Sequence, residues 1–166
     1  MANSVHYGLL EKVQTQIRAL ITAGTIPTIL SADVLIRKVP IAIDYKTAPA
    51  TGEFQLPGIV ISYIPKMQVQ PWSNLRDRIG YPILIDILAK DSQDATSNHD
   101  VYLKWHEDIL DEFRTRRVTL TSPAASFLSC DYDPVGQIVS WPAWAGQGLH
   151  VSSIPLVFWM LKTRGN

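Results

Sequence analysis

Residues 80–90 read GYPILIDILAK, and this stretch decides the fold class. Ile83, Ile85 and Ile87 alternate on one face of an extended chain, and Leu84, Asp86 and Leu88 on the other. An extended chain presents alternate residues to opposite sides, and β-branched side chains suit that pleated surface. Apolar side chains on both faces predict a central strand covered at least partly on each side. Asp86 interrupts the second face and marks an edge, a subunit contact or a water-facing position.

Upstream, residues 66–78 contain Pro71, Trp72 and Asn74 and read as a connection. Residues 58–64 (GIVISYI) form a β-branched run that Pro65 ends. Residues 40–57 hold three prolines, Thr47, Thr51, Gly52 and only scattered apolar positions, the pattern of a long surface loop or arm with one strand at 41–45. Residues 33–39, with Val34, Leu35, Ile36 and Val39, predict a further strand. At the N-terminus, Val5, Leu9, Val13, Ile17 and Ile21 recur at helical spacing, widened by Leu10 and Leu20. Asn3 or Ser4 suits the N-cap of that helix, and Gly24 stands where a left-handed C-terminal residue is expected.

Downstream, residues 91–100 are polar and turn-rich and lead into a second helix, in which Val101, Trp105, Ile109 and Phe113 share a stripe joined by Leu110. Its acids (Glu107, Asp108, Asp111, Glu112) precede Arg114, Arg116 and Arg117, the order the helix dipole favours. Residues 125–131 and 151–161 are strand candidates, separated by a Trp/Pro/Gly-rich loop at 140–148. Helix, strands, helix, strands predicts one α+β domain over 1–166, with a mixed or mostly antiparallel sheet on which both helices pack.

The chain has 166 residues, 46% of them apolar, a size that folds on an ordinary hydrophobic core. Fifteen Lys and Arg balance fifteen Asp and Glu, which argues against a dedicated nucleic-acid binder or a polybasic membrane-surface protein. Residues 1–8 lack the basic, apolar and cleavage regions of a signal peptide. The apolar run at 154–161 is far shorter than the ~20 residues that cross a bilayer. A soluble, non-secreted protein is expected. The lone Cys130 excludes an internal disulfide and a multi-thiolate zinc site, and reads as a small buried hydrophobe.

Catalytic patterns are missing. No H-E-x-x-H, G-x-S-x-G or S-x-x-K occurs, and Gly146-Gln147-Gly148 lacks the third glycine of a dinucleotide loop. His106 is expected on the polar flank of the second helix, and the adjacent carboxylates there read as a solvated face. An enzyme reading would have to rest on His106, Glu107 and Asp86 as a scattered acid/base group. Of five tryptophans, Trp105 and Trp159 fall in regular elements and read as core. Trp72, Trp141 and Trp144 fall in loops, where large rings favour a partner-covered surface. No cofactor or metal is expected.

The order of short motifs resembles the tail-terminator proteins of long-tailed bacteriophages and the neck proteins related to them at the head–tail junction. It runs from the amphipathic N-terminal helix to VLIRKVP (34–40), LPGIVIS (56–62) and NLRDRIGYP (74–82) ahead of the apolar strand. LKWHE (103–107) with Phe113 follows, and a last strand ends in Arg164-Gly165. The resemblance implies a small α+β domain without enzymatic activity, assembled as a ring, commonly a hexamer. Such a ring caps the tail tube, stops its polymerisation and joins it to the head connector. It implies a place in the virion at the tail or neck after assembly in the host cytoplasm. The implied partners are other copies, the tail-tube protein and the connector or a neck protein, with DNA passing unspecifically and no membrane. The alternative within this class is a neck or head-completion protein on the portal side. On this reading Arg76, Asp77 and Arg78, in a loop before the central strand, are the expected intersubunit ion-pair cluster, and the 40–57 arm reaches a neighbour.

Overall fold

The computed structural model describes residues 4–37, 55–90, 99–121, 124–132 and 148–163. Helix α1 spans Val5–Thr22; the hydroxyl of its N-cap Ser4 accepts a hydrogen bond from the Tyr7 amide, and Leu9, Leu10, Val13 and Ile17 are buried. Gly24 beyond its end takes a φ of +78°, the left-handed geometry that glycine adopts freely. A 3-10 turn at Ser31–Asp33 leads into β1 (Val34–Arg37). Strands β2 (Gly58–Tyr63), β3 (Gln68–Ser73) and β4 (Arg76–Lys90) follow, then helix α2 (His99–Thr115). The chain continues through β5 (Val118–Thr121), β6 (Ala124–Phe127) and β7 (Ser129–Tyr132) to β8 (Leu149–Thr163).

The main sheet runs β1-β2-β4-β8-β7, and β3 also pairs with β4. Only β1 and β2 run parallel; the other pairings are antiparallel. The fold is therefore α+β with a mostly antiparallel sheet, as the element order predicts. Strands β4 and β8 are each 15 residues long and pair over their whole length, from Arg76 opposite Thr163 to Lys90 opposite Leu149. Along its other edge β4 takes β2 at 83–88 and β3 at 76–80. Pro65 and Pro82, neither of which has an N–H to give a ladder, stand where that edge changes partner.

The faces of the sheet follow the sequence alternation. Ile83, Ile85 and Ile87 point into the core shared with Leu9, Val13, Ile17, Trp105, Ile109 and Phe113 of the helices. On the opposite face Val60, Leu88, Leu149 and Val151 form a second buried cluster. Coverage on both sides of β4 is thus as expected. Helix α1 is tied to the sheet by polar contacts as well. Gln14 Nε2 and Arg18 Nη2 donate to the Val34 carbonyl at 2.7 and 3.1 Å, and the His6 ring bonds the Pro82 carbonyl at 3.1 Å.

Several boundaries depart from the sequence reading. Residues 66–78 are not a connection but contain β3 and the start of β4: β8 continues far enough to pair with 76–78, and β3 folds back onto the other edge of that extension. Residues 125–131 hold parts of two strands that break at Leu128, whose amide bonds the Trp159 carbonyl at 2.7 Å. Helix α2 begins at His99, inside the stretch expected to be a turn. The expected strand at 41–45, most of the 40–57 arm and most of the 140–148 loop lie outside the described residues.

Ile85 is fully buried at the centre of this packing. Ile85→Ala is expected to lower folding stability by about 2–5 kcal/mol, read by urea denaturation, because the rigid strands around it cannot collapse onto the void.

Candidate assembly surface

At the end of the sheet where β3, β4 and β8 run past the helices, side chains that belong in a core stand in the open. Trp72 is 60% exposed and Leu75 is 73% exposed, with Met67, Val69 and Leu128 also exposed. The tip is held open by backbone pairing: β3 and β4 form an antiparallel hairpin whose register shifts between Pro71 and Ser73. Exposed apolar groups collected at one end of a domain mark a contact surface more strongly than scattered ones do.

Arg78 organises this end. Its guanidinium carbon lies 4.2 Å from the Trp159 ring centroid and 5.9 Å from that of Trp72. Its Nη2 donates to Ser129 Oγ at 3.2 Å and Asp131 Oδ2 at 3.3 Å, across β8 on strand β7. A cation over an aromatic face is attracted by the ring quadrupole, and an ion pair this exposed adds at most about 1 kcal/mol. Gly80 makes the stack possible: a Cβ there would meet Trp159 Cζ3 at 2.8 Å and Val157 Cγ1 at 2.9 Å.

The sequence-predicted residues therefore divide. Trp72 and Arg78 come together; Arg76 is exposed and Asp77 half-buried beside them. All three charged residues lie in β4 rather than in a loop, and Arg78 makes its ion pair within the chain. Trp141 and Trp144 lie outside the described residues. Sequence reading missed Trp159, Ser129 and Asp131 as partners of Arg78. The accessible signal was the alternation of β8, which places Trp159 on the same face as Ser153 and Val157, away from Phe158. Beside Asp131 a cleft of about 660 Å³ opens between the end of α2 and β7, lined by Arg114, Arg116, Arg117, Ser129 and Tyr132 among others.

The scattered acid/base group does not form. Asp86 sits on the sheet face opposite the helices, fully buried, and its carboxylate accepts a 2.6 Å hydrogen bond from Ser153. It is neither an edge nor a water-facing position. His106 lies on the helix-covered side, buried rather than on a polar flank, with its ring edge-on to Tyr132 at 6.5 Å. Glu107 points to solvent. His106 is enclosed rather than solvated because α2 packs along β7 and β8, so Tyr132 covers the flank of its apolar stripe. Among the described residues no cluster of three or more His, Cys, Asp or Glu is placed to hold a metal ion. Among the same residues no helix is long and apolar enough to cross a membrane. Cys130 is buried, and burial, helped by the Asp131 charge, pushes its thiol up to about 12.

Gly80→Ala should destabilise the fold by about 1–3 kcal/mol by forcing Trp159 off the sheet, measurable by urea titration with tryptophan fluorescence as the readout. Burial also holds His106 and His6 below the ordinary value of 6.5, against the smaller opposing effects of Glu107 and the Pro82 carbonyl. Below that value the unfolded chain takes up protons that the folded chain refuses, so this contribution to stability is full above it and lost on acidification. Urea midpoints should fall as pH drops from neutral through 6.5, and His106→Gln should flatten that fall.

No protein-family model matches the chain, and no curated protein matches it. Among solved structures the fold is similar to a chain described as belonging to the virion of a native gene transfer agent particle. The TM-score is 0.56 at 11% sequence identity, over 96% of this chain and 100% of the other. At that identity the likeness is one of fold.

Proposed function

We propose that the chain is a structural protein of a phage-like particle, without enzymatic activity. In this role it forms a ring at the head–tail junction that caps the tail tube, stops its polymerisation and joins it to the head connector. The observation that carries this reading is the end-to-end fold likeness to a chain from a gene transfer agent virion, covering 96% of one and 100% of the other. The motif order supports the same class. The exposed hairpin end, with Trp72, Leu75 and Arg76, supplies the apolar and cationic groups that an assembly contact needs. In a ring, one such end per subunit would be repeated around the tube, so a weak individual contact would be multiplied by symmetry.

The test is electron microscopy of particles produced with the gene deleted from its parent virus or prophage. Overlong, variable tails detached from heads are expected for a terminator. Tails of normal length beside filled, unjoined heads would move the protein to the portal side of the neck. Normal infectious particles would overturn the structural role. Complementation with Trp72→Ser/Leu75→Ser is expected to give a folded protein by circular dichroism and a loss of joined particles.

A further inference from the structure

The projecting hairpin has a counterpart elsewhere on the chain. Between the first turns of α1 and the end of β2 lies a cavity of about 300 Å³, lined by Ser4, His6, Tyr7, Leu10 and Tyr63. No acidic, lysine or arginine side chain lines it, and its volume stands at the bottom of the range for small-ligand pockets, about 300–1,000 Å³. Its wall is fixed in advance: the His6 ring packs edge-on to Tyr63 at 5.4 Å and to Tyr81 at 5.5 Å, and its Nε2 donates to the Pro82 carbonyl. The matching projection is the turn between β3 and β4. Leu75 there is 73% exposed, and its amide donates to Ser73 Oγ at 3.3 Å. Leu75 cannot reach the cavity of its own chain. Tyr63 stands opposite Ile83, roughly 26 Å along an extended strand from Leu75, and pairing with β8 as far as Arg76 keeps that strand extended. Opposite charges flank the two features. Arg76 is exposed next to Leu75, and Glu11 is exposed one helical turn beyond Tyr7. Neither makes an ion pair with a described residue. The positions three and four away from Glu11 on α1 are Tyr7, Gly8, Gln14 and Thr15, none of them charged.

We infer that the β3–β4 turn of one copy of this chain docks into the cavity at the start of α1 in a second copy. Leu75 enters between Tyr7 and Tyr63, and Arg76 pairs with Glu11. The occupant is a second copy because projection, cavity and the opposite charges beside them all belong to one chain, whose rigid strand holds them apart. Knob and socket are different surfaces, so the contact runs head to tail and repeats, the kind of interface that closes into rings. Burial of Leu75 supplies the attraction, while the exposed ion pair adds little affinity and fixes the orientation. A socket whose wall is already in place loses little freedom when it is filled. This inference rests on the proposed self-assembly and names the two surfaces that meet in it.

The experiment crosslinks two full-length variants in one solution by mild oxidation with diamide. Asn74→Cys marks the turn and leaves Leu75 in place, Tyr7→Cys marks the cavity rim, and the chain's own Cys130 is buried. Mixing the two is expected to give a disulfide-linked dimer at about tenfold or more the yield of Asn74→Cys with Glu107→Cys, an exposed position on α2. Adding Leu75→Asp to the turn variant should return the yield to that control level. Adding Arg76→Glu to the turn variant should lower it about fivefold, and adding Glu11→Arg to the rim variant should then restore it; a misfolded variant would not be rescued in this way. A yield at the control level, no effect of Leu75→Asp, or no rescue by the reversed charge pair overturns the contact. So does a turn variant that crosslinks to cysteine-substituted tail-tube protein and not to the rim variant, which would assign the turn to the tube. These failures differ from that of the ring function. Abnormal tails in the deletion strain, together with full complementation by Tyr7→Asp, leave the tail role standing and remove only this contact.

Discussion

The pairing of β4 with β8 fixes where everything else can go. Fifteen consecutive residues of each strand are matched, while β2, β3 and β7 each pair over only a few positions on the outer edges of this ribbon. Because side chains alternate along both strands, one register decides which residues meet the helices. A slip of one residue would turn Ile83, Ile85 and Ile87 away from α1 and α2 and present Leu84, Asp86 and Leu88 instead. The buried ion-capable side chain of Asp86, bonded to Ser153 directly across the ribbon, adds a polar match that only this register satisfies.

The same ribbon explains why the candidate surface lies where it does. Near its middle both faces are covered, and apolar side chains there stabilise the fold. Towards Arg76 and Thr163 it outruns the helices, so backbone pairing persists without a core beneath it. Residues at that end keep their strand geometry through hydrogen bonds while Trp72 and Leu75 remain in solvent. The Arg78 stack on Trp159, made possible by the bare Cα of Gly80, stiffens the start of this extension and links it to β7. The arginine cleft opens on the other side of β7, so the hairpin end and the cleft share one region of the molecule.

What the amino-acid sequence determined by itself was local and periodic. The 3.6-residue stripe of α1, the Ser4 cap and Gly24 fixed the first helix, and the two-residue alternation of 80–90 fixed the central strand, because both patterns are properties of neighbouring residues. The apolar stripe of α2 was equally legible. Only the tertiary structure decided that 68–73 and 76–79 are strands, since β8 lies alongside 76–79 and that extension of β4 in turn gives the polar, proline-containing 68–73 an edge to pair with. It also decided the states of individual side chains. Asp86 meets Ser153 67 residues away, Arg78 meets Asp131 53 residues away, and His106 is enclosed by Tyr132. Contacts between such distant positions depend on strand register and helix docking, which no short window of sequence contains.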